Sequence, residues 1–264
     1  MNYHGNPCWY ELGTGDLDAA AGFYGRILGW QVVDSGMEGF DYRLARSDGD
    51  MVAGLMSIAD QQGDPSPNWL IYFAVDDCDG TAAEVEAKGG SIHRQPADIP
   101  GTGRYAVVVD PQGAAFGLLQ PDMSGMSEAD IARAEQGGAF NQNKAGHGNW
   151  NELMTTNPEA GFAFYSGLFG WTKGEAMDMG AMGVYQLIRR EGVDIGAMMG
   201  LGDSPVPAWL PYFGVGGAVT KTVEAITSSG GTVHHGPVEV PGPAYIAVAQ
   251  DPQGAWFAVV GAER

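Results

Sequence analysis

Apolar and polar positions along the chain alternate between strand-like and helical patterns in a fixed order. Residues Cys8 to Thr14 alternate and end at Gly15-Asp16, which predicts a strand that leads into a helix N-cap. Apolar residues then recur at helical spacing until Gly29, at Ala20, Phe23, Tyr24, Ile27 and Leu28. Three more strands complete a predicted βαβββ module, at residues 31–34, 40–46 and 51–58.

The two halves of the chain are repeats of one another. The segment WYELGTGDLDAAAGFY at 9–24 returns as WNELMTTNPEAGFAFY at 150–165, at an offset of 141 residues. Asp-Pro-Gln-Gly at 110–113 likewise returns at 251–254. Each half contains two predicted βαβββ modules. We therefore predict two domains, at 1–121 and 147–264, joined by a linker at 122–146. Within the linker, the segment SEADIARAEQGG is a short helix candidate with Ser127 as its N-cap.

Composition narrows the class of partner. The net charge of −19, from 32 acidic and 13 basic residues, argues against nucleic acid, because phosphate-backbone binding needs a clustered Lys/Arg surface. The acidity is typical of a well-solvated surface. The sequence shows neither a signal peptide nor a long apolar run, so we expect no membrane partner, reduced thiols at Cys8 and Cys78, and a cytoplasmic location.

The modules carry a recognisable combination of motifs. Each half has ELxT followed by an acidic or Asn helix cap, a Phe-Tyr pair in the helix, and DPQG before its last strand. This combination resembles the vicinal oxygen chelate superfamily, which includes glyoxalases, bleomycin- and fosfomycin-resistance proteins and extradiol dioxygenases. More narrowly, it resembles the tandem glyoxalase/bleomycin-resistance type. The resemblance covers almost all of the chain except the linker.

The resemblance implies an α+β fold of two tandem domains. In each domain, two βαβββ modules curl into a mixed-sheet half-barrel whose concave face holds a small-molecule ligand. The two domains would pack as an intramolecular pseudo-dimer. A homodimer is a further partner that the sequence leaves open.

The superfamily binds divalent metal ions at positions where this chain lacks suitable ligand side chains. By resemblance, these positions are on the first strand of each module and on the last strand of each domain. They correspond to Trp9, Leu70, Gly117, Trp150, Leu210 and Ala258. None of these residues can ligate a divalent cation through its side chain. We therefore predict no metal and no cofactor, although a metal-dependent glyoxalase-type lyase or extradiol-type dioxygenase remains an alternative.

Two glutamates are the candidates for catalysis without a metal. If Trp9 faces the cavity, strand alternation makes Glu11 face it too, and Glu152 has the same relation to Trp150. Desolvation beside an indole is expected to raise the pKa of a carboxyl group, which suits a general acid or base. The structural alternative is that both glutamates pair with Arg or backbone amides.

Aromatic residues are the candidates for ligand binding. The same alternation places Tyr72, Tyr212 and Trp256 on the concave face, and Tyr42 and Tyr185 are repeat partners that could reach it. With Trp9 and Trp150 they would line a pocket for a planar or apolar ligand. The alternative interpretation is that these aromatics are core residues.

The histidines show no metal-site spacing. His93 and His234 are repeat partners on the strand after the second helix of each domain, where a structural role is expected. His4 and His147 share a His-Gly-Asn context before the first strand of each domain, so they could lie at a cavity mouth, but such residues are usually solvated.

These observations predict a glyoxalase/bleomycin-resistance-like protein that binds a small, partly apolar or aromatic organic molecule and could convert it without a metal. Whether it is an enzyme is left open. A non-catalytic drug- or metabolite-sequestering protein is the second alternative.

Overall fold

The computed structural model describes residues 3–37, 39–59, 66–124 and 138–264. The helix candidate of the linker lies almost wholly outside the described residues. The described chain has the predicted α+β composition and repeats its element order once per half. None of its described helices combines the length and the apolar character needed to cross a membrane.

The first half contains two βαβββ modules, as predicted. The elements are β1 (Pro7–Thr14), α1 (Leu17–Leu28), β2 (Gln31–Asp34), β3 (Tyr42–Ser47), β4 (Asp50–Ser57), β5 (Asn68–Ala74), α2 (Cys78–Ala87), β6 (Ser91–Ile99), β7 (Gly103–Val109) and β8 (Ala115–Pro121).

The second half repeats this order. Its elements are β9 (Gly148–Thr155), α3 (Pro158–Phe169), β10 (Thr172–Asp178), a 3-10 turn (Gly180–Met182), β11 (Val184–Arg190), β12 (Val193–Gly200), β13 (Ala208–Gly214), α4 (Val219–Ser228), β14 (Thr232–Val240), β15 (Ala244–Gln250) and β16 (Trp256–Gly261).

Each half forms one curled, mixed, eight-stranded sheet. The strand orders are β2-β3-β4-β1-β5-β8-β7-β6 and β10-β11-β12-β9-β13-β16-β15-β14. Strands β1 and β4 pair in parallel, as do β5 and β8, while the hairpin strands β2-β3-β4 and β6-β7-β8 pair antiparallel. This topology confirms the predicted α+β fold of tandem βαβββ modules.

Three of the four described α-helices begin at a side-chain cap. Asp16 and Asp77 accept a hydrogen bond from a backbone amide three residues later, and Asn157 does the same for α3. These bonds satisfy amides that would otherwise lack a partner at the helix start. Helix α4 begins after Ala218, which provides no side-chain cap.

The compact units of the fold do not follow chain order. One unit, here called the α1/α4 unit, contains the described residues between 9 and 70 together with 138–150 and 210–264. The other, the α2/α3 unit, contains residues 3–8, 71–124 and 151–209. Each unit combines modules from both halves of the chain. The predicted domain boundaries, at 121 and 147, stay predictions.

Buried aromatic rings form the core of each unit. In the α1/α4 unit, Tyr24 of α1 packs edge-on against Trp69 and Phe257, at centroid distances of 5.3 and 5.5 Å. In the α2/α3 unit, Tyr165 of α3 packs in the same way against Trp209, at 5.3 Å. The Phe-Tyr helix motif is therefore a core motif.

A buried Trp–Tyr–Asp hydrogen-bond chain links each helix to a DPQG turn. Trp69 Nε1 donates to the Tyr24 hydroxyl over 2.9 Å, and this hydroxyl donates to Asp251 Oδ2 over 3.0 Å. Asp251 Oδ1 also accepts from the backbone amides of Gln253 and Ala255. The other unit has the same two hydrogen bonds, formed by Trp209, Tyr165 and Asp110. The sequence indicated only tight turns here.

We expect the buried tyrosines to weaken the fold at alkaline pH. Burial raises the pKa of Tyr24 and Tyr165 well above the usual value, and the adjacent aspartates add to this effect. The unfolded chain loses these protons near pH ~10 while the folded chain keeps them, so the stabilisation is complete below pH ~10 and falls as the pH rises further. The free energy of unfolding should fall by roughly 1.4 kcal/mol per pH unit for each tyrosine.

Urea unfolding between pH 8 and 12 measures this slope. The Tyr24→Phe variant should lose one of the two contributions, so its slope above pH ~10 should be shallower by roughly 1.4 kcal/mol per pH unit. An unchanged slope in that variant would contradict the assignment.

Candidate functional site

A tryptophan, a tyrosine and a glutamate form a hydrogen-bonded cluster on β1 and β3. On β1, Tyr10 and Leu12 are fully buried, whereas Trp9 and Glu11 are half-buried on the opposite face. Trp9 Nε1 donates to the Tyr42 hydroxyl over 3.0 Å, and this hydroxyl donates to Glu11 Oε2 over 3.0 Å. We call these three residues the Glu11 cluster. All three belong to the α1/α4 unit.

The face of this cluster follows from the neighbours on β3. Arg43, next to Tyr42, donates to Asp18 in the first turn of α1 over 2.6 Å. Because side chains alternate along a strand, Tyr42 lies on the face away from α1. Glu11 and Trp9 therefore share with Tyr42 the face that the helix leaves uncovered.

Gly54 makes room for the Tyr42 side chain. Strand β4 lies between β3 and β1, and Gly54 is the residue paired with Glu11. A Cβ at Gly54 would lie 1.8 Å from the Tyr42 hydroxyl oxygen. Tyr42 therefore crosses β4 at the one residue that has no side chain to block it. Sequence reasoning missed Gly54, since nothing local in the sequence signals a close approach from another strand.

Phe40 extends the aromatic surface of the cluster. Its ring stacks on Tyr42 with a centroid distance of 6.1 Å and an interplanar angle of 21°. It is 42% exposed, so part of the side chain is accessible to solvent. Sequence reasoning missed Phe40 as well, and the structure places it two residues before the start of β3, where strand alternation does not set the direction of a side chain.

The second half repeats the tyrosine–glutamate pair. The Tyr185 hydroxyl donates to Glu152 Oε2 over 2.8 Å, within the α2/α3 unit. Glu152 is only 8% exposed and pairs in register with Ala197, which takes the place of Gly54. The two repeats thus share the glutamate–tyrosine contact but differ at the residue between them. Trp150 is half-buried on the same strand as Glu152.

The residues at the family's metal positions do not fit a divalent cation. On β8, the Tyr72 ring lies over Gly117, where an added Cβ would be 2.1 Å from the ring. In the second half, buried Tyr212 pairs with Ala258. At the first-strand position, the Trp9 indole nitrogen donates to Tyr42 and offers no lone pair to a metal. Within the described residues, no cluster of three His, Cys, Asp or Glu side chains could hold a metal ion.

The rings of Trp256 and His234 pack against one another in the α1/α4 unit, at an interplanar angle of 32°. Phe257 packs on Phe23 of α1, so Trp256 lies on the other face of β16. Its ring centroid is 4.3 Å from that of His234, and His234 Nε2 is 2.9 Å from Gln250 Oε1. His234, expected from the sequence to be structural, thus contacts a residue predicted to bind ligand. Its repeat partner His93 is exposed.

The structure corrects the interpretation of His147. Its side chain is fully buried, not solvated, with Nε2 3.3 Å from Asp50 Oδ2, which also accepts from Lys144. His4, by contrast, is partly exposed and reaches the Leu168 carbonyl oxygen with Nε2 over 2.8 Å.

The shared His-Gly-Asn context is not a structural equivalence. Gly5 donates its amide to Ala74, and in the other unit Gly146 makes the same contact to Gly214. Gly146, not Gly148, is therefore the repeat of Gly5, and Asn6 is the counterpart of His147. The histidines occupy different places in the two repeats.

Neither cysteine is activated. Both are free thiols, and Cys8 Sγ donates to the Tyr72 carbonyl oxygen. Burial raises the pKa of Cys8 above its usual range and that of Cys78 to about 11. A raised pKa keeps the thiol protonated at neutral pH, which argues against a nucleophilic role for either side chain.

Known proteins resemble this chain along almost its whole length. "Putative glyoxylase CFP32" of Mycobacterium tuberculosis is 33% identical, over 97% of this chain and 94% of its own. "Anthracycline biosynthesis protein DnrV" of Streptomyces peucetius is 32% identical, over 97% of this chain and 93% of its own.

Solved structures share the fold at low sequence identity. The 2,3-dioxygenase LapB from Pseudomonas sp. KL28 matches with a TM-score of 0.66 at 15% identity, over 100% of this chain and 94% of its own. The Mn(II)-bound glyoxalase from Novosphingobium aromaticivorans matches with a TM-score of 0.65 at 16% identity, over 99% of this chain and 83% of its own.

The family assignment agrees with the element order, the duplication and the motifs of the chain. The model of the Glyoxalase/Bleomycin resistance protein/Dioxygenase superfamily matches residues 8–118. Relatives more than 30% identical extend the match over both halves. The chain belongs to the Glyoxalase/Bleomycin resistance protein/Dioxygenase superfamily.

Proposed function

We propose that the protein binds a small, partly apolar or aromatic organic molecule at the Glu11 cluster, and a second one at the Tyr185–Glu152 pair, without a metal ion. The observation that carries this proposal is the hydrogen-bond chain from Trp9 through Tyr42 to Glu11. It places an oriented carboxylate beside aromatic rings at the strand where relatives of this superfamily hold their metal.

The aromatic surroundings support the class of ligand. Phe40, Tyr42 and Trp9 offer rings against which a planar molecule can stack, and Glu11 can accept a hydrogen bond from its polar edge. The similarity to a protein named for anthracycline biosynthesis supports the same class, since anthracyclines are fused-ring aromatic compounds.

The chemistry open to this site is proton transfer. A carboxylate held by a tyrosine hydroxyl keeps one orientation, which is the first requirement for a general base or acid. We propose that Glu11 and Glu152 serve in this role if the bound molecule is converted. A protein that only sequesters its ligand would use the same contacts without turnover.

The metal-dependent alternative is less well supported. A lyase or dioxygenase of the metal-dependent kind needs His, Glu or Gln ligands, and this chain has Trp9, Leu70 and Gly117 at the matching positions of its first half. No step of the proposed function passes through a metal.

A binding screen tests the proposal. Metal-free protein is mixed with small aromatic and carbonyl compounds, and divalent metals are tested in separate wells, with thermal stability and tryptophan fluorescence as readouts. We expect at least one organic compound to raise the unfolding temperature and change the fluorescence on its own. Stabilisation by metals alone would contradict the proposal.

A further inference from the structure

A polar cavity lies in the α1/α4 unit, apart from the residues of the Glu11 cluster. Its volume is about 510 Å³. It is lined by the end of α1, the first residue of β2, the β3–β4 turn, Ala145 and the loop that precedes α4. Arg46 and Asp48 are the charged side chains of the lining.

Arg46 lacks the partner that its repeat has. In the α2/α3 unit, Arg189 pairs in register with Asp194 and donates to it through Nε and Nη2, both over 2.8 Å. The corresponding register partner of Arg46 is Met51. Among the described residues, no carboxylate forms an ion pair with Arg46, which is half-buried in the cavity wall.

The loop before α4 lacks two carboxylates that are present in its repeat. In the α2/α3 unit, Asp77 caps helix α2, and Asp76 precedes it with its carboxylate 3.8 Å from His4 Nδ1. The repeat of this segment, before α4, is Gly216-Gly217-Ala218. Equivalent hydrogen bonds establish which residues of the two loops correspond. The Val75 amide donates to the Leu119 carbonyl oxygen, and the Val215 amide donates to the Val260 carbonyl oxygen.

Three carboxylates of the α2/α3 unit therefore have no acidic counterpart in the α1/α4 unit, although the net charge of the protein is −19. Met51 is the register partner of Arg46, and Gly216 and Gly217 line the cavity. The exposed Asp48, in the β3–β4 turn, is the carboxylate left in the lining. Without these carboxylates, the Arg46 guanidinium can bind an anion from solution. A guanidinium binds a carboxylate or phosphate group best in a bidentate manner, through two parallel hydrogen bonds.

We propose that this cavity binds a small oxyanion, either a carboxylate or a phosphate group, through Arg46. Gln31 and Thr222 are also among the lining residues, and their side chains carry further hydrogen-bond donors. The two glycines before α4 let the anion approach the backbone without meeting a side chain. This site is independent of the ligand proposed for the Glu11 cluster.

The test is calorimetric titration of the full chain with sodium phosphate and, separately, with sodium malonate. Sodium chloride at equal ionic strength is the reference, because any salt screens the repulsion within so acidic a protein. We expect saturable binding of phosphate or malonate above the chloride reference, and the anion that binds identifies the group recognised.

Three variants locate the binding. Arg46→Met removes the cation, and Met51→Asp recreates the carboxylate that Arg189 has in the repeat while keeping Arg46. Both should weaken anion binding at least tenfold. Arg189→Met is the matched control and should bind within about twofold of the wild type. Binding no stronger than that of chloride, or equal binding by all three variants, would overturn the proposal.

Discussion

Replacement of Asp251 by alanine is expected to lower the free energy of unfolding by about 3–5 kcal/mol. Asp251 is only 4% exposed and accepts from the Tyr24 hydroxyl and from the amides of Gln253 and Ala255. Alanine leaves these donors without their acceptor, and each donor that is fully buried costs about 1–3 kcal/mol, reduced where water enters the space. Urea denaturation at neutral pH measures the loss.

The conservative variant Asp251→Asn serves as the control. Its amide oxygen can still accept a hydrogen bond, so we expect it to lose about half as much stability or less. Asp110→Ala should behave like Asp251→Ala, because it removes the equivalent acceptor of Tyr165 in the other unit. A loss below about 1 kcal/mol in Asp251→Ala would show that the network contributes little.

The double variant Glu11→Gln/Glu152→Gln is expected to lower turnover of any converted ligand by about 10²- to 10⁴-fold. Glutamine keeps the shape of the side chain and still accepts from Tyr42 or Tyr185, but it cannot take up a proton at neutral pH. Binding should therefore change by less than about threefold. Steady-state kinetics and a separate binding titration distinguish the two effects.

The single variants Glu11→Gln and Glu152→Gln then show whether both sites contribute to turnover. The exposed Glu239→Gln is the control for loss of one negative charge, and it should leave turnover unchanged. Unaltered turnover in the double variant would remove the acid/base role. If the wild type binds ligands and converts none of them, the sequestering alternative is correct.

The sequence predicted the fold well because the helix caps and turns are encoded by a few neighbouring residues and occur in both halves of the chain. Asp16 and Asn157 each cap a helix at equivalent positions, and Gly29 and Gly170 end those helices with a left-handed backbone. Such signals depend on a few neighbouring residues, and their repetition confirms them. The Asp-Pro-Gln-Gly turns were predicted for the same reason, but their contacts with Tyr24 and Tyr165 were not, since these join residues more than 50 positions apart.

The candidate site was predictable only along single strands. Alternation was enough to propose Trp9 and Glu11 for one face, and the structure places them together with Tyr42. That Tyr42 reaches Glu11 over Gly54 depends on the order of three strands, which no local pattern encodes. His147 was misjudged for a related reason, since its partner Asp50 comes from a distant hairpin.

The central claim is that the Glu11 cluster binds an organic ligand without a metal, and one titration tests it most directly. Metal-stripped wild-type protein and its Gly54→Val variant are titrated with the best compound from the screen, followed by tryptophan fluorescence. We predict saturable binding to the wild type and at least tenfold weaker binding to Gly54→Val, because the valine side chain must displace Tyr42. Binding that requires added metal, or that is equal in both proteins, would contradict the account.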